Sequence, residues 1–269
     1  MKKIFETAAL LTLAMLMGCK TDKVEQQTPA DRESLFQVAT LQSLMVGCYD
    51  GFISVGELRR HGDIGIGTFH CIDGEMTILD GVVYQAMGDG TMRVAPDSVT
   101  VPFATATYFD ADIVACVPPF EDLQALGHHL DSIIVSVGRN QIYMLQMPVE
   151  AQALTVRSEI SQTPPFRPLA ETMAEAQREF SYENVRGMLV AIYFPPFFKA
   201  ENTPGWHYHF VSDDRLTGGH VLALKSAAEE MEAELDATPY FHMYLPEDRK
   251  FNETDLTPDL SREIKKVEQ

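Results

Sequence analysis

Basic residues are scarce in this chain. Its 269 residues hold 21 lysines and arginines against 39 aspartates and glutamates, a formal charge of -18. A phosphate backbone is gripped by clustered cations that displace counterions, and pairs such as Arg59-Arg60 and Lys265-Lys266 are too small for that. Nucleic acid is excluded as a partner. The apolar run from Ala8 to Met17 is too short for a permanent membrane helix, which needs about 20 residues. No repeat relates one half of the chain to the other. What the chain does have is 45% hydrophobic residues with 22% charged ones, enough to bury a sizeable core.

The N-terminus has a different character. Lys2 and Lys3 precede the apolar run, which ends Leu16-Met17-Gly18-Cys19, so residues 1–18 read as a signal peptide. The boundary resembles the lipobox of bacterial lipoproteins. That resemblance implies an exported, membrane-anchored protein that meets the membrane only through a lipid on Cys19. Residues 19–33, polar and rich in Thr, Gln, Asp and Lys, then form a tether. Setting Cys19 aside leaves Cys48, Cys71 and Cys116, an odd number with no CxxC pair. Neither a disulfide framework nor a cysteine zinc site is indicated, and free buried thiols are expected.

Periodicity organises the rest. Leu35, Val38, Leu41, Leu44 and Met45 have the spacing of a helix face over Ser34–Val46. From Gly65 to Val94, short apolar runs alternate with Asp73-Gly74, Asp80-Gly81 and Gly88-Asp89-Gly90, the punctuation of consecutive hairpins. Strands are expected at Val99–Phe109 and Ile133–Pro148, with a helix at Phe120–Leu130 between them. Three prolines in Gln162–Pro168 rule out an interior strand or helix, so that segment is the expected linker. A helix at Leu169–Phe180 follows, then strands at Val185–Tyr193, Trp206–Val211, Val221–Leu224 and Tyr240–Leu245. Two sheet-containing halves result, residues 34–164 and 165–269.

Chemistry concentrates in PGWHYHFVSDDRLTGGHV, Pro204 to Val221. His207 and His209 on a strand share a face, because side chains alternate with period two. Gly218-Gly219 can make a tight return that brings His220 beside them. Three converging imidazoles form a zinc-type catalytic set with positions left for water or substrate. His-x-His alone is more often a surface or core feature; the third histidine raises its meaning. His128-His129 lie on an expected helix, where neighbours diverge, and His61, His70 and His242 are isolated. His207-Tyr208-His209 followed by Asp213 partly imitates a cupin box, but the second box is missing. GIGTFH is no dinucleotide fingerprint, since His70 takes the third glycine position.

Several blocks together are more specific. GIGTFHCIDGEMTILDGVVYQ (Gly65–Gln85), TVRS (Thr155–Ser158) and PGWHYHFVSDDRLTGGHV, preceded by Tyr49-Asp50-Gly51, resemble the acetolactate decarboxylase family in its own order, from about Leu35 to the C-terminus. Met147–Leu154 departs from the family wording. The resemblance implies a mixed α/β (α+β) fold of two domains, each built on a mixed sheet, with the metal site in the C-terminal domain. It implies a homodimer, and a zinc ion (Zn2+) on His207, His209 and His220. Glu75, Arg157 and a C-terminal glutamate complete the implied site: Glu268 in IKKVE, with Glu263 the next choice. Thr68 lies in a block that lines it.

The implied reaction is decarboxylation of 2-acetolactate to acetoin and CO2, in the acetoin/butanediol pathway. The substrate is a β-keto acid whose ketone is already the electron sink, so no organic cofactor is needed. A Lewis acid on the ketone and hydroxyl oxygens stabilises the developing charge, and Glu268 or Glu75 returns a proton to carbon. Arg157 suits docking, since clamping the departing carboxylate would favour the ground state. Bland readings compete: a surface salt bridge for Arg157, a polar position between strands for Glu75, a β-branched strand residue at Thr68. At the level of the whole protein, the alternatives are a cupin-like metal enzyme and a non-catalytic ligand-binding lipoprotein.

Overall fold

Asp80 (φ 52) and Gly81 (φ 72) are both left-handed, and they join β4 (Glu75–Leu79) to β5 (Val82–Ala86) with Leu79 opposite Val82. Such a two-residue turn matches the twist of the strands it connects. It centres a meander of β3 (Ile64–Thr68), β4, β5 and β6 (Met92–Val94), as the turn residues indicate. In this computed structural model, which describes residues 32–227 and 230–268, β3 also pairs with β8 (Phe103–Thr107). β8 pairs with β1 (Ser34–Val38), and β1 runs parallel to β15 (Tyr240–Tyr244), completing a seven-stranded sheet. A ribbon of β2 (Ile53–Ser54) and β7 (Thr100–Val101) and two short helices, α1 (Leu41–Met45) and α2 (Val55–Leu58), flank it.

The second sheet has six strands: β9 (Ile113–Val117), β10 (Ile142–Glu159), β11 (Gln177–Phe194), β12 (Gly205–Ser212), β13 (Gly218–Ser226) and β14 (Met231–Thr238). Their order is β11-β12-β13-β10-β14-β9, and β10 also pairs with β11, so β10 to β13 close into a ring. One face packs on α3 (Leu123–Val137) through Leu126, Leu130 and Ile134 against Tyr143, Leu145 and Phe210. The other face presents Met144, Val190, Ile192 and Val211 to Leu35, Ile64, Ile66 and Leu79 of the first sheet. Period-two alternation along β10 thus serves two cores at once. Further on come α4 (Leu169–Ala176), α5 (Arg249–Glu253) and α6 (Ser261–Glu268).

The mixed α/β character expected from the sequence is present, dominated by sheet. The boundary at residue 165 does not divide the sheets: β15 joins the first, while β9 and β10 belong to the second. Ser34–Val46 is not one helix. Leu35 and Val38, three apart, suit one helix face, but parallel pairing with residues 240–244 makes a strand that sends them into two different cores, after which Ala39 (φ 53) turns the chain into α1. Ile133–Val137 closes α3 rather than opening a strand, because Leu126, Leu130 and Ile134 repeat every four residues. The helix at Leu169 stops at Ala176, where the long β11 begins.

One buried carboxylate makes stability depend on pH. Asp236 is 1% exposed, and burial raises its carboxyl to about 7; the backbone N–H of Asp110 donates to it at 3.3 Å and works against that rise, whereas Asp112, Glu33 and Asp110 add to it. The folded state therefore holds this proton more tightly than the unfolded chain. Its contribution is full below the unfolded value near 4 and is lost as pH climbs through about 7. Asp236→Asn removes that loss. Its stability relative to wild type should rise by roughly 2 kcal/mol between pH 5 and pH 8. Thermal unfolding at the two pH values checks this, and a constant difference would refute it.

Candidate active site

His207 and His209 alternate with Trp206, Tyr208 and Phe210 along β12, so the two imidazoles face the first sheet while the aromatic residues face α3. His220 on β13 pairs directly with His209. The return between these strands is not made by Gly218-Gly219. Ser212–Thr217 makes it, with Ser212 N–H donating to Thr217 O at 2.9 Å and Arg215 at φ 61. Both glycines pair inside the strands, where close approach explains them. A Cβ at Gly218 would lie 2.2 Å from Phe210 O, and one at Gly219 (φ 136) 2.4 Å from Arg157 O. Gly218 lets β13 press against β12 and Gly219 lets it press against β10, which brings Arg157 close.

The three histidines converge. Nε2 of His207 lies 2.8 Å from Nδ1 of His220 and 3.3 Å from Nε2 of His209, and all three ligand atoms lie within 4.8 Å of one another. Burial, reinforced by Arg157, lowers His207 to about 3. Burial first, then the neighbouring histidines and Arg157, holds His209 and His220 well below the ordinary range. Neutral imidazoles keep lone pairs to offer, and three of them aimed together form the donor set of a cation. Thr77 Oγ1, on β4, lies 3.2 Å from His209 Nδ1. When Nδ1–H donates there, Nε2 is left bare for a metal. The residues fit the metal that the resemblance implies.

The first sheet supplies the facing groups. Thr68 ends β3 directly opposite Glu75, which starts β4; Thr68 Oγ1 donates to Gly74 O at 2.9 Å. Glu75 N–H donates to Ser158 Oγ at 3.3 Å, and that hydroxyl donates to Ala86 O at 2.6 Å. The Glu75 carboxylate lies between an imidazole and a guanidinium: Oε2 is 3.6 Å from His209 Nε2 and Oε1 is 3.6 Å from Arg157 Nε. Arg157 is 4% exposed and its Nη1 donates to Val267 O, so it is no surface salt-bridge partner. These groups and His207 and His209 line one cavity, walled otherwise by Leu41, Phe103, Met173 and Val267.

The cavity lies between the sheets and draws on both halves of the chain, so the site is not the property of a C-terminal domain. Glu159 was missed by sequence reasoning. It is buried, lines the cavity and sits 3.7 Å from Arg157 Nε. Its signal was present, since Arg157 and Glu159 stand two apart on one strand face. At the C-terminus, Ile264 and Val267 of α6 are buried against Leu41, Ile72, Leu169 and Met173, while Glu263, Lys265 and Lys266 are exposed. Glu268 ends the helix, and its side chain lies outside the described residues, as does the whole Cys19 segment. The other histidines stay apart: His61 stacks on Phe36 at 3.7 Å, and His70 Nδ1 accepts from Gly51 N–H at 3.1 Å. Cys48, Cys71 and Cys116 are free, but of the three only Cys48 is buried as expected; Cys71 is half-buried and Cys116 exposed.

Fold and site together define a sheet-rich enzyme whose buried imidazoles could hold a metal ion beside two acids and a guanidinium. Residues 35–258 match the model of the alpha-acetolactate decarboxylase family. The chain is 38% identical over 234 residues to the alpha-acetolactate decarboxylase of Methanosarcina mazei, covering 87% of this chain and 80% of the relative. It is 35% identical to that of Lactococcus lactis subsp. lactis, covering 82% and 92%. The crystal structure of alpha-acetolactate decarboxylase from Bacillus subtilis strain 168 superposes with a TM-score of 0.83 at 28% identity, covering 87% of this chain and 99% of that one. The chain belongs to the alpha-acetolactate decarboxylase family and is a carboxy-lyase.

Proposed function

We propose that this chain converts 2-acetolactate to acetoin and carbon dioxide within the acetoin/butanediol pathway, with zinc on His207, His209 and His220. The observation that carries the reading is the buried, neutral histidine triad set against the equally buried Glu75–Arg157 pair. Zinc, when bound, supplies Lewis acidity toward the ketone and hydroxyl oxygens of the substrate. Everything else falls to the chain. Arg157 docks the anion and balances charge that develops on oxygen, and Thr68 helps shape the wall beside it. The carbon–carboxylate bond breaks, its electrons pass into the ketone, and carbon dioxide leaves. A carboxyl, Glu268 or Glu75, then protonates the carbon from one side. Leu41, Phe103 and Met173 keep water from competing.

Purified protein loaded with zinc should form acetoin from 2-acetolactate, lose the activity to a chelator, and regain it with added zinc. A zinc-loaded protein that releases no acetoin would sink the reading. A buried carboxylate 3.6 Å from His209 supplies the proton carrier that decarboxylation needs, and the cupin-like alternative still lacks its second box. We further propose export and anchoring through Cys19, and a homodimer. Cys19→Ser should abolish lipid attachment and membrane fractionation while leaving turnover unchanged; a wild type with an unlipidated mass would overturn the anchor.

A further inference from the structure

Among the described residues that line the cavity, Glu159 is the charged one to which the decarboxylase reading gives no task. It closes β10 opposite Gln177 of β11, and its backbone is held from two sides. Ile160 N–H donates to Ala176 O, at the end of α4, at 3.0 Å. Gly88 comes so near that a Cβ there would lie 2.7 Å from Glu159 O. Period two then turns the Glu159 side chain to the face that carries Arg157, into the cavity.

Two carboxylates therefore converge on one guanidinium. Arg157 Nε lies 3.6 Å from Glu75 Oε1 and 3.7 Å from Glu159 Oε1, and none of the three side chains is more than 9% exposed. The two acids are not equivalent. Glu75 turns its other oxygen to His209, 3.6 Å away, on the side where the triad would hold a cation. Glu159 lies beside Arg157 on the same strand face. A buried charge is tolerated when it is paired. With Glu75 shared between Arg157 and the histidines, Glu159 is the acid that offsets Arg157.

That pairing matters for a substrate that loses the group carrying its charge. An uncompensated buried guanidinium would grip the substrate carboxylate in a short, charge-assisted bond. The grip would be firmest before reaction, when the charge is concentrated on the carboxylate. As the bond breaks and carbon dioxide leaves, the electron pair passes toward the ketone oxygen, so the stabilisation lost from the carboxylate would be added to the barrier. A carboxylate standing beside the guanidinium weakens the grip in advance.

We propose that Glu159 is a positioning residue acting through Arg157: it keeps the guanidinium partly neutralised, so that the site docks the substrate carboxylate loosely and gives up little when that group departs. This rests on the decarboxylase reading. Two inert ligands, titrated by calorimetry into zinc-loaded protein beside acetoin kinetics, separate the roles. 2-Hydroxy-2-methylpropanoate keeps the hydroxyl and carboxylate of the substrate but has no ketone. 3-Hydroxy-3-methyl-2-butanone keeps the hydroxyl and ketone but has a methyl in place of the carboxylate. Glu159→Gln should bind the carboxylate ligand roughly ten-fold more tightly and the neutral ligand as wild type does, while KM and kcat both fall by roughly ten-fold. Glu159→Asp keeps the charge but draws it back from Arg157, and should shift the carboxylate affinity, KM and kcat the same way by about two-fold; it stands in if Glu159→Gln does not fold. A merely structural ion pair would weaken both ligands together and raise KM. That outcome, or carboxylate affinity equal to wild type, overturns the proposal. A wild type that makes no acetoin would defeat the functional reading alone, because the two affinities still report the balance of charge at Arg157.

Discussion

Replacing His207, His209 or His220 with alanine should take zinc from near one equivalent to below about a tenth, and acetoin formation down by about a thousand-fold or more. A site with three protein ligands has none to spare. Removing one loses a bond and also unties the geometry of the remaining pair, whose ligand nitrogens lie within 4.8 Å of each other in the triad. Folding should survive, since the imidazoles face the cavity and the apolar cores of β12 lie on its other residues, Tyr208, Phe210 and Val211. Thr77→Val is the graded companion. It keeps shape but removes the oxygen 3.2 Å from His209 Nδ1, so zinc affinity should fall by about 10- to 100-fold without loss of the site. Metal content by mass spectrometry and a zinc titration read both effects. Full occupancy in all three alanine variants would end the assignment.

How much of this was legible depends on whether the governing interactions are local. The hairpins of Gly65–Val94 were, because Asp80-Gly81 fixes its own turn and the register follows. So was the convergence of His207 and His209, which needs only period two. His220 was reached for a partly wrong reason: the turn lies at Ser212–Thr217, and the glycines serve close packing against Arg157 and Phe210. Contacts between distant segments were not legible. Nothing local says that β15 returns to pair with β1, or that β10 spans 18 residues and serves both sheets, so a boundary at the prolines looked natural. β14 hid differently, because Glu232, Glu234 and Asp236 read as an acidic stretch although Met231, Ala233 and Leu235 alternate with them into the core. Glu75 and Arg157 could be named only through the resemblance. Their burial, which turns two ordinary charged residues into a site, is a tertiary property.

Glu268→Gln should lower kcat by about 10²- to 10⁴-fold, the usual worth of general acid–base catalysis, while zinc content and melting temperature stay as in wild type. Terminal residues of this kind would ordinarily be dispensable. Here the helix that carries them is fastened: Ile264 and Val267 are buried, and the Val267 carbonyl accepts from Arg157 at the heart of the cavity. Position 268 follows Val267 directly and ends the same helix. Glutamine preserves size and hydrogen bonding but has no proton to give, so the substitution separates chemistry from anchoring. Truncation at residue 260 does not, because it also removes Ile264, Val267 and the acceptor of Arg157, and it should cost stability as well as turnover. Glu263 provides the control for register. It is exposed on α6, facing away from Ile264's buried side, and Glu263→Gln should turn over like wild type. A large loss at Glu263 beside a fully active Glu268→Gln protein would show that the catalytic carboxyl had been placed on the wrong residue of the tail.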